Sequence, residues 1–288
     1  MSGNNIPRVR RDRTFVPTPI YKKEGDWSMQ GYVVDWDTSE TDKTLMLEHA
    51  SANVDWETFL DELVDGREIL PYISSTNNND AAAGTGARTM RIAGLDFDYK
   101  PIEEELSLNG QTSVWSELYW ARINNFEVLS TGSGGVPAGK IYVGNGTNSS
   151  GVPANILTYL RSGVLTGYKN QAIQDMNATF TVPKGYYVEI HDVRFEGYID
   201  GTVATFAHVN LEVNNFGDSI YGLSKNYKWE TLDSYLVSRN EGTNLEYYLK
   251  YNRPIIIDEL YDIRLQLLDV QANNHMFRGR MSGYMRKK

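Results

Sequence analysis

Cysteine is absent from this 288-residue chain, which rules out disulfide staples and thiolate metal sites. Stability must therefore come from burial, hydrogen bonding and subunit contacts. No run of about 18 apolar residues occurs and the mean hydropathy is −0.45, so no membrane span is expected. The opening residues Met1 to Pro7 lack the apolar stretch of a secretion signal, and the chain is expected to be made and used as a soluble protein. Histidine is sparse, and His49, His191, His208 and His275 show no metal-ligand spacing. Positive charge is in deficit: 28 Lys and Arg against 37 Asp and Glu give a formal net charge of −9. A specific nucleic-acid binder is normally basic, so none is expected here. No alternation of strand and helix patterns appears, which argues against a nucleotide-binding α/β sheet.

What the chain has is aromatic and turn-forming residues. Aromatics make up 12%, with 19 tyrosines, beside 25 glycines. Such a composition suits pleated sheets with many turns, and tyrosine also suits half-wet contact surfaces. The charge is uneven. Arg8, Arg10, Arg11 and Arg13 make the N-terminal segment basic, and Arg278, Arg280, Arg286, Lys287 and Lys288 do the same for the C-terminus. Acidic blocks lie at Asp35 to Asp42 and Asp55 to Asp65. Two readings fit this distribution: solvated tails, or terminal arms that dock on an acidic neighbouring subunit. On the second reading the contact residues are Arg8, Arg10, Arg11, Arg13, Pro17, Pro19, Arg286 and Lys287.

Residues 1–66 read as an extended arm, punctuated by Pro7, Pro17 and Pro19, then a short strand at Met29 to Trp36 and one short helix. Asn53 or Asp55 caps that helix, Val54, Trp56, Phe59, Leu60, Leu63 and Val64 line one face, and Gly66 stops it. From Glu68 the period becomes two. Strands are expected at Ile69 to Ile73, around Met90 and Ile92, and from Ile102 to Leu108, with a flexible loop over Ser74 to Gly86. Asn109-Gly110 is a strong hairpin signal, and Gly144 to Gly151 reads as a loop. Ile156 to Leu165 fits a short helix or a strand equally. Further strands follow Met176, around the Pro183-Lys184-Gly185 turn, and at Val203 to Val213, Asn244 to Tyr251, Asp262 to Leu268 and His275 to Tyr284. The fold class is mainly β: two antiparallel β-sandwich units of jelly-roll or immunoglobulin-like type, residues 67–168 and 169–288, behind the N-terminal arm and its helix.

The chemistry-bearing patterns fail on inspection. Gly134 to Lys140 has the spacing of a phosphate-binding loop. But Ile141 stands where Ser or Thr would hold magnesium, Pro137 removes a backbone donor, and a strand follows instead of a helix. The acidic run Asp35, Asp37, Ser39, Glu40, Asp42 lacks the glycine of a calcium loop. Glu103 and Glu105 fall on the strand face opposite Ile102, Leu106 and Leu108, an exposed face that discourages edge pairing. A hydrolase on a β-scaffold would instead need two carboxylates about 5 to 9.5 Å apart on a concave face. His191 beside Asp192 makes no triad by itself, and no nucleophile elbow occurs. Trp115, Tyr119, Trp120, Tyr186, Tyr187, Tyr247 and Tyr248 either pack a core or contact, or stack sugars. No catalytic residue, cofactor or metal is expected.

Two stretches carry a family resemblance. Gly84-Thr85-Gly86-Ala87-Arg88, Gly94-Leu95-Asp96, Glu103 to Glu105 and Leu108-Asn109-Gly110 form strand, tight turn, acidic strand and turn. Phe180 to Tyr186 resembles a "YTVPAGK" turn, with Lys184 in place of the small residue and Tyr186 in place of the lysine. Tyr251 to Ile255 with Asp262-Ile263-Arg264 resembles an "RPP…TDIKIR" strand pair. Together these are similar to structural virion proteins of tailed bacteriophages, of marine or cyanophage type, and the likeness spans about Glu68 to Gly283. The resemblance implies a virion location and no catalysis. It implies a capsid-associated decoration or cement subunit that contacts other virion proteins and is a homo-oligomer, or else a tail, neck or fibre component that touches host glycans.

Overall fold

The computed structural model describes residues 25–36, 70–160, 179–199, 205–215, 230–239, 245–270 and 275–288. These form fifteen strands and four antiparallel sheets. The helix expected near Asp55 lies outside the described residues. Among the described residues no helix is long and apolar enough to cross a membrane.

The first half contains β2 (Tyr72–Ser75), β3 (Ala87–Leu95), β4 (Pro101–Ser107), β5 (Val114–Trp115), β6 (Arg122–Thr131), β7 (Ile141–Ser149) and β8 (Val152–Leu160). They assemble as one sheet ordered β5-β2-β7-β8 and another ordered β4-β3-β6. The sheets share a core in which Ile73, Ile141, Val143, Leu157 and Leu160 meet Met90, Ile92, Leu106, Ile123 and Phe126. Alternation does the sorting. In β4, Leu106 points into this core and Glu105 points to water. Opposite it, Arg91 lies between Glu105 and Glu127 and bonds the latter.

The second half contains β9 (Thr179–Thr181), β10 (Tyr186–Ile199), β11 (Thr205–Asn215), β12 (Glu230–Arg239), β13 (Leu245–Ile257), β14 (Tyr261–Val270) and β15 (His275–Lys287). The early strand β1 (Gly25–Trp36) joins here, in the order β1-β15-β10-β13. The facing sheet is β12-β11-β14-β9. Val188, Ile190, Phe195 and Met281 from one sheet meet Val209, Leu211, Val213, Ile263 and Leu265 from the other. At one end Phe195, Tyr235 and Tyr247 form an aromatic cluster with centroids 5.2 to 6.2 Å apart.

Two sequence expectations change here and one open choice is resolved. The segment from Gly144 to Gly151 is not a loop: β7 and β8 form a hairpin that turns at Ser150-Gly151. Ile156 to Leu160 is strand, and the ambiguity has a cause. Leu157 and Leu160 enter the first core, while Ile156 and Tyr159, with Tyr142 of β7, enter the second. A strand buried on both faces shows no alternation to read. At Asn109-Gly110 the turn exists, with Gly110 at φ 60, but it does not close a hairpin. β4 pairs with β3, and β5 pairs with β2.

Glycine matters most where backbones touch. A Cβ on Gly94 would lie 2.0 Å from the carbonyl oxygen of Arg122, so only glycine lets β3 and β6 approach there. Gly185 instead needs its conformation: φ is +82 and nothing lies within 4 Å of a Cβ. Gly185→Ala is therefore expected to cost about 1 kcal/mol through backbone strain alone. A thermal melt showing no loss would refute this.

Candidate functional site

Of the contact residues expected from sequence, Arg8, Arg10, Arg11, Arg13, Pro17 and Pro19 lie outside the described residues. Arg286 and Lys287 belong to no tail, because both sit in β15, paired with β10. The Arg286 Nε is 3.0 Å from Glu189, and its guanidinium lies 5.4 Å from the Tyr284 ring centre. Lys287 is exposed opposite Tyr186. The terminal Lys288 ammonium bonds Asp258 at 2.7 Å and Glu259 at 2.8 Å. Lys288, and then the Gly185 N–H, holds the Glu259 carboxyl below the ordinary glutamate range. A carboxyl lowered on folding contributes stability above its unfolded value and loses it as pH falls through the folded one. Fraying of the β15 end, read by amide exchange, is thus expected to increase only at acid pH below the usual carboxylate range. Glu259→Gln should bring the same fraying to neutral pH. Glu259 is half-buried and its partner Lys288 exposed, so solvent screening keeps the effect below about 1 kcal/mol.

The phosphate-loop lookalike has a structural use. The N–H groups of Ala138 and Gly139 donate to the Asp80 carboxylate at 2.8 Å each. The N–H of Ala87 donates at 2.7 Å and the Ser75 hydroxyl at 2.6 Å. Asp80 is fully buried, and its own backbone bonds Asn77 and Gly110. A built-in carboxylate thus fills the backbone nest that a phosphate would otherwise need. It also ties three loops together, so the segment from Ser74 to Gly86, expected to be flexible, is a cross-linked hub.

A second constellation lies between the two cores. Arg122 of β6 and Asp262 of β14 are 1% and 0% exposed, with Nε to Oδ1 at 3.4 Å. Asp262 also accepts from the Thr181 hydroxyl, and Arg122 donates to the Ala121 carbonyl at 2.6 Å. Beside them the Asn124 amide both donates to and accepts from the Thr181 backbone, at 2.9 and 2.8 Å. The Lys184 N–H donates to the Tyr99 carbonyl at 3.0 Å. Tyr99 and Leu260, both bulky, take positive φ at this seam, a strain that persists only where the surroundings fix it.

The remaining titratable clusters are cross-linked internally. Glu212 is bonded by Arg264 at 2.8 Å and by Asn210 at 3.1 Å. Tyr235 and Tyr251 share a hydrogen bond, and Tyr251 donates to Asp233 at 3.0 Å. Burial pushes both phenols well above the usual tyrosine range, so they stay protonated. His208 bonds Ser234 at 2.6 Å, and His191 lies edge-on against Tyr284. Among the described residues no group of His, Asp and Glu is placed to hold a metal.

Of the aromatics, Trp120 is fully buried and bonds Ser116 at 2.9 Å, whereas Trp115 and Tyr119 are 51% and 45% exposed. Their loop is rigid: the Ser116 hydroxyl bonds Leu118 and Glu104, and Glu104 accepts the Glu117 N–H at 2.8 Å. Sequence reasoning missed Asp80 and Arg122. A lone Asp in an Asn-rich loop and a lone Arg in a strand carry no pattern.

No family model matches the chain, and no curated protein does either. Among solved structures it is similar to the infectious bursal disease virus VP2 subviral particle, at 9% identity over 94% of this chain and 73% of that one, with a TM-score of 0.18. It is similar also to the Gx strain of that virus, at 9% identity over 94% and 73%, with a TM-score of 0.19. T=1 particles derived from infectious bursal virus give 12% identity over 92% and 70%, with a TM-score of 0.14. Superpositions this loose define neither fold nor role.

Proposed function

We propose that this chain is a non-enzymatic structural protein of a virion, of the tailed-bacteriophage type, acting as a capsid-associated decoration or cement subunit. Its two sandwich units, residues 67–168 and 169–288 with β1 added to the second, present surfaces to other virion proteins and to further copies of the chain. One observation carries this reading: the segments that resemble phage virion proteins sit at the braces of the fold. Gly86 and Gly110 pack around Asp80 and its loop. Gly94 lies against the Arg122 backbone. The turn at Lys184 and the carboxylate of Asp262 both reach across to the first half. What the resemblance shares is thus a framework that makes two units rigid, which suits a part that bears load.

The test is negative-stain imaging and heat challenge of purified shells with and without the protein, with copy number per particle measured alongside. Added density and a raised disruption temperature are expected. Unchanged shells that never retain the protein would refute the reading.

A second reading, a tail, neck or fibre component that touches host glycans, is favoured by the rigid, exposed Trp115 and Tyr119. It predicts glycan-array binding that Trp115→Ala abolishes.

A further inference from the structure

Among the fifteen described strands, β1 alone is both a sheet edge and the end of the strand order along the chain. The other terminal strand, β15, lies inside its sheet, between β1 and β10. β1 can therefore leave or enter without unthreading any other strand. Among the described residues it pairs with β15 alone. The register runs unbroken from Gly25↔Met285 to Val33↔Phe277 and shifts only between Val33 and Trp36.

The strand that receives β1 is anchored independently. β15 pairs with β10 from Tyr186↔Lys287 to Ile199↔His275, and its Met281 and Met285 are fully buried in the second core. Without β1, β15 would be a long edge whose open N–H and C=O groups are a template for another strand. The opposite edge of the same sheet is guarded. In β13, Tyr251 to Pro254 stand where β10 has only His191. Pro254 has no N–H to give a further strand, and such a bulge bends the edge away.

The connection leaves the choice of partner open. Thirty-three residues, 37–69, lie between β1 and the first half, and the whole first half precedes the strands that β1 joins. A chain of that length reaches at most about 110 Å, against a radius of gyration of about 19 Å for a compact protein of this size. It spans to its own β15 or to that of a touching copy. The ladder bonds are the same in both arrangements, so concentration sets the balance.

We propose that β1 is an exchangeable strand, and that in the assembled state β1 of one copy completes the β15 edge of a second copy. This deepens the assembly reading above by naming the element that joins copies. Recognition comes from backbone pairing and register, not from charge. Each copy gives one strand and accepts one, so the exchange closes as a reciprocal pair or runs on as a ring or array.

The lack of cysteine supplies the test. Ser28 and Ser282 are opposite partners in the register, and opposed residues of antiparallel strands lie within the Cα span that a disulfide bridges. One full-length chain carries Ser28→Cys, and a second, lengthened by a tag, carries Ser282→Cys. The two are mixed in urea, refolded together over a concentration series, oxidised mildly and run on non-reducing gels. A covalent heterodimer is expected, with a yield that rises with concentration. Gln30→Cys in place of Ser28→Cys stands two residues out of register, beyond disulfide reach, and should give at least about tenfold less. The Ser282 hydroxyl bonds Asp192 at 2.6 Å, so circular dichroism with thermal melts verifies that each variant folds. A chain with both cysteines gives the second measurement. Its bands at dimer size or above support exchange. Disulfides confined to single chains at every concentration overturn it. So does a heterodimer no more abundant than the out-of-register control, or no disulfide at all. A chain that keeps β1 to itself yet is retained on shells would remove the exchange and leave the virion reading standing.

Discussion

Asp80→Ala is expected to destabilise the first half of the protein by about 4 kcal/mol, because each buried donor left without a partner costs about 1 to 3 kcal/mol. The carboxylate takes hydrogen bonds from Ser75, Ala87, Ala138 and Gly139 in a site with no solvent exposure. Alanine orphans all of them and leaves a polar hole. Asp80→Asn is the sharper variant. It keeps the shape, but one of its two head atoms becomes a donor facing donors, so a loss of about 2 kcal/mol is expected. Ser75→Ala removes a single bond and should cost about 1 kcal/mol. Urea unfolding followed by tryptophan fluorescence measures all three, with an unchanged slope marking a change in stability alone. An Asp80→Asn midpoint equal to that of the parent would sink the hub.

Arg122→Met carries the second large effect. It leaves the Asp262 carboxylate buried without its cation, and such a loss costs about 3 to 5 kcal/mol. The expected result goes beyond the midpoint. Arg122 lies in the β4-β3-β6 sheet of the first half and Asp262 in the β12-β11-β14-β9 sheet of the second, and they meet at the seam. Calorimetry of the variant should therefore resolve two transitions where the parent shows a more cooperative one. Pairing Arg122→Met with Asp262→Leu should recover much of the loss in stability, since an apolar pair of similar volume leaves no orphaned charge. Recovery of stability without recovery of a single transition would mean that the ion pair chiefly fixes the mutual orientation of the halves. A single variant that melts with the parent would show the pair to be dispensable.

The sequence made the β-rich class legible wherever one strand face is wet. Met90 and Ile92 against Thr89 and Arg91, and Leu106 against Glu105, give a period of two that the structure keeps. It also exposed the phosphate-loop pattern as a decoy, because Pro137 and Ile141 break the chemistry. It failed at the segment from Ile156 to Leu160, where burial on both faces erases the period. It failed again at Asn109-Gly110, where the turn is local but the pairing of β4 and β5 is not. Arg286 and Lys287 read as a basic end because charge is visible in a sequence and strand pairing is not.

Composition and alternation alone decided that this chain builds antiparallel sheets without disulfides, since both follow from side-chain chemistry and the pleat of a single strand. Only the tertiary structure decided that Asp80 fills a nest made by residues 58 and 59 positions away, or that Arg122 meets Asp262 across 140 positions. It alone set Arg194, Arg280, Tyr248 and Tyr284, from β10, β15 and β13, on one face and turned Tyr247 and Tyr251 to the other. Hydrogen bonds and charges act over a few ångströms of space, and which residues come that close depends on how every strand in the sheet is paired.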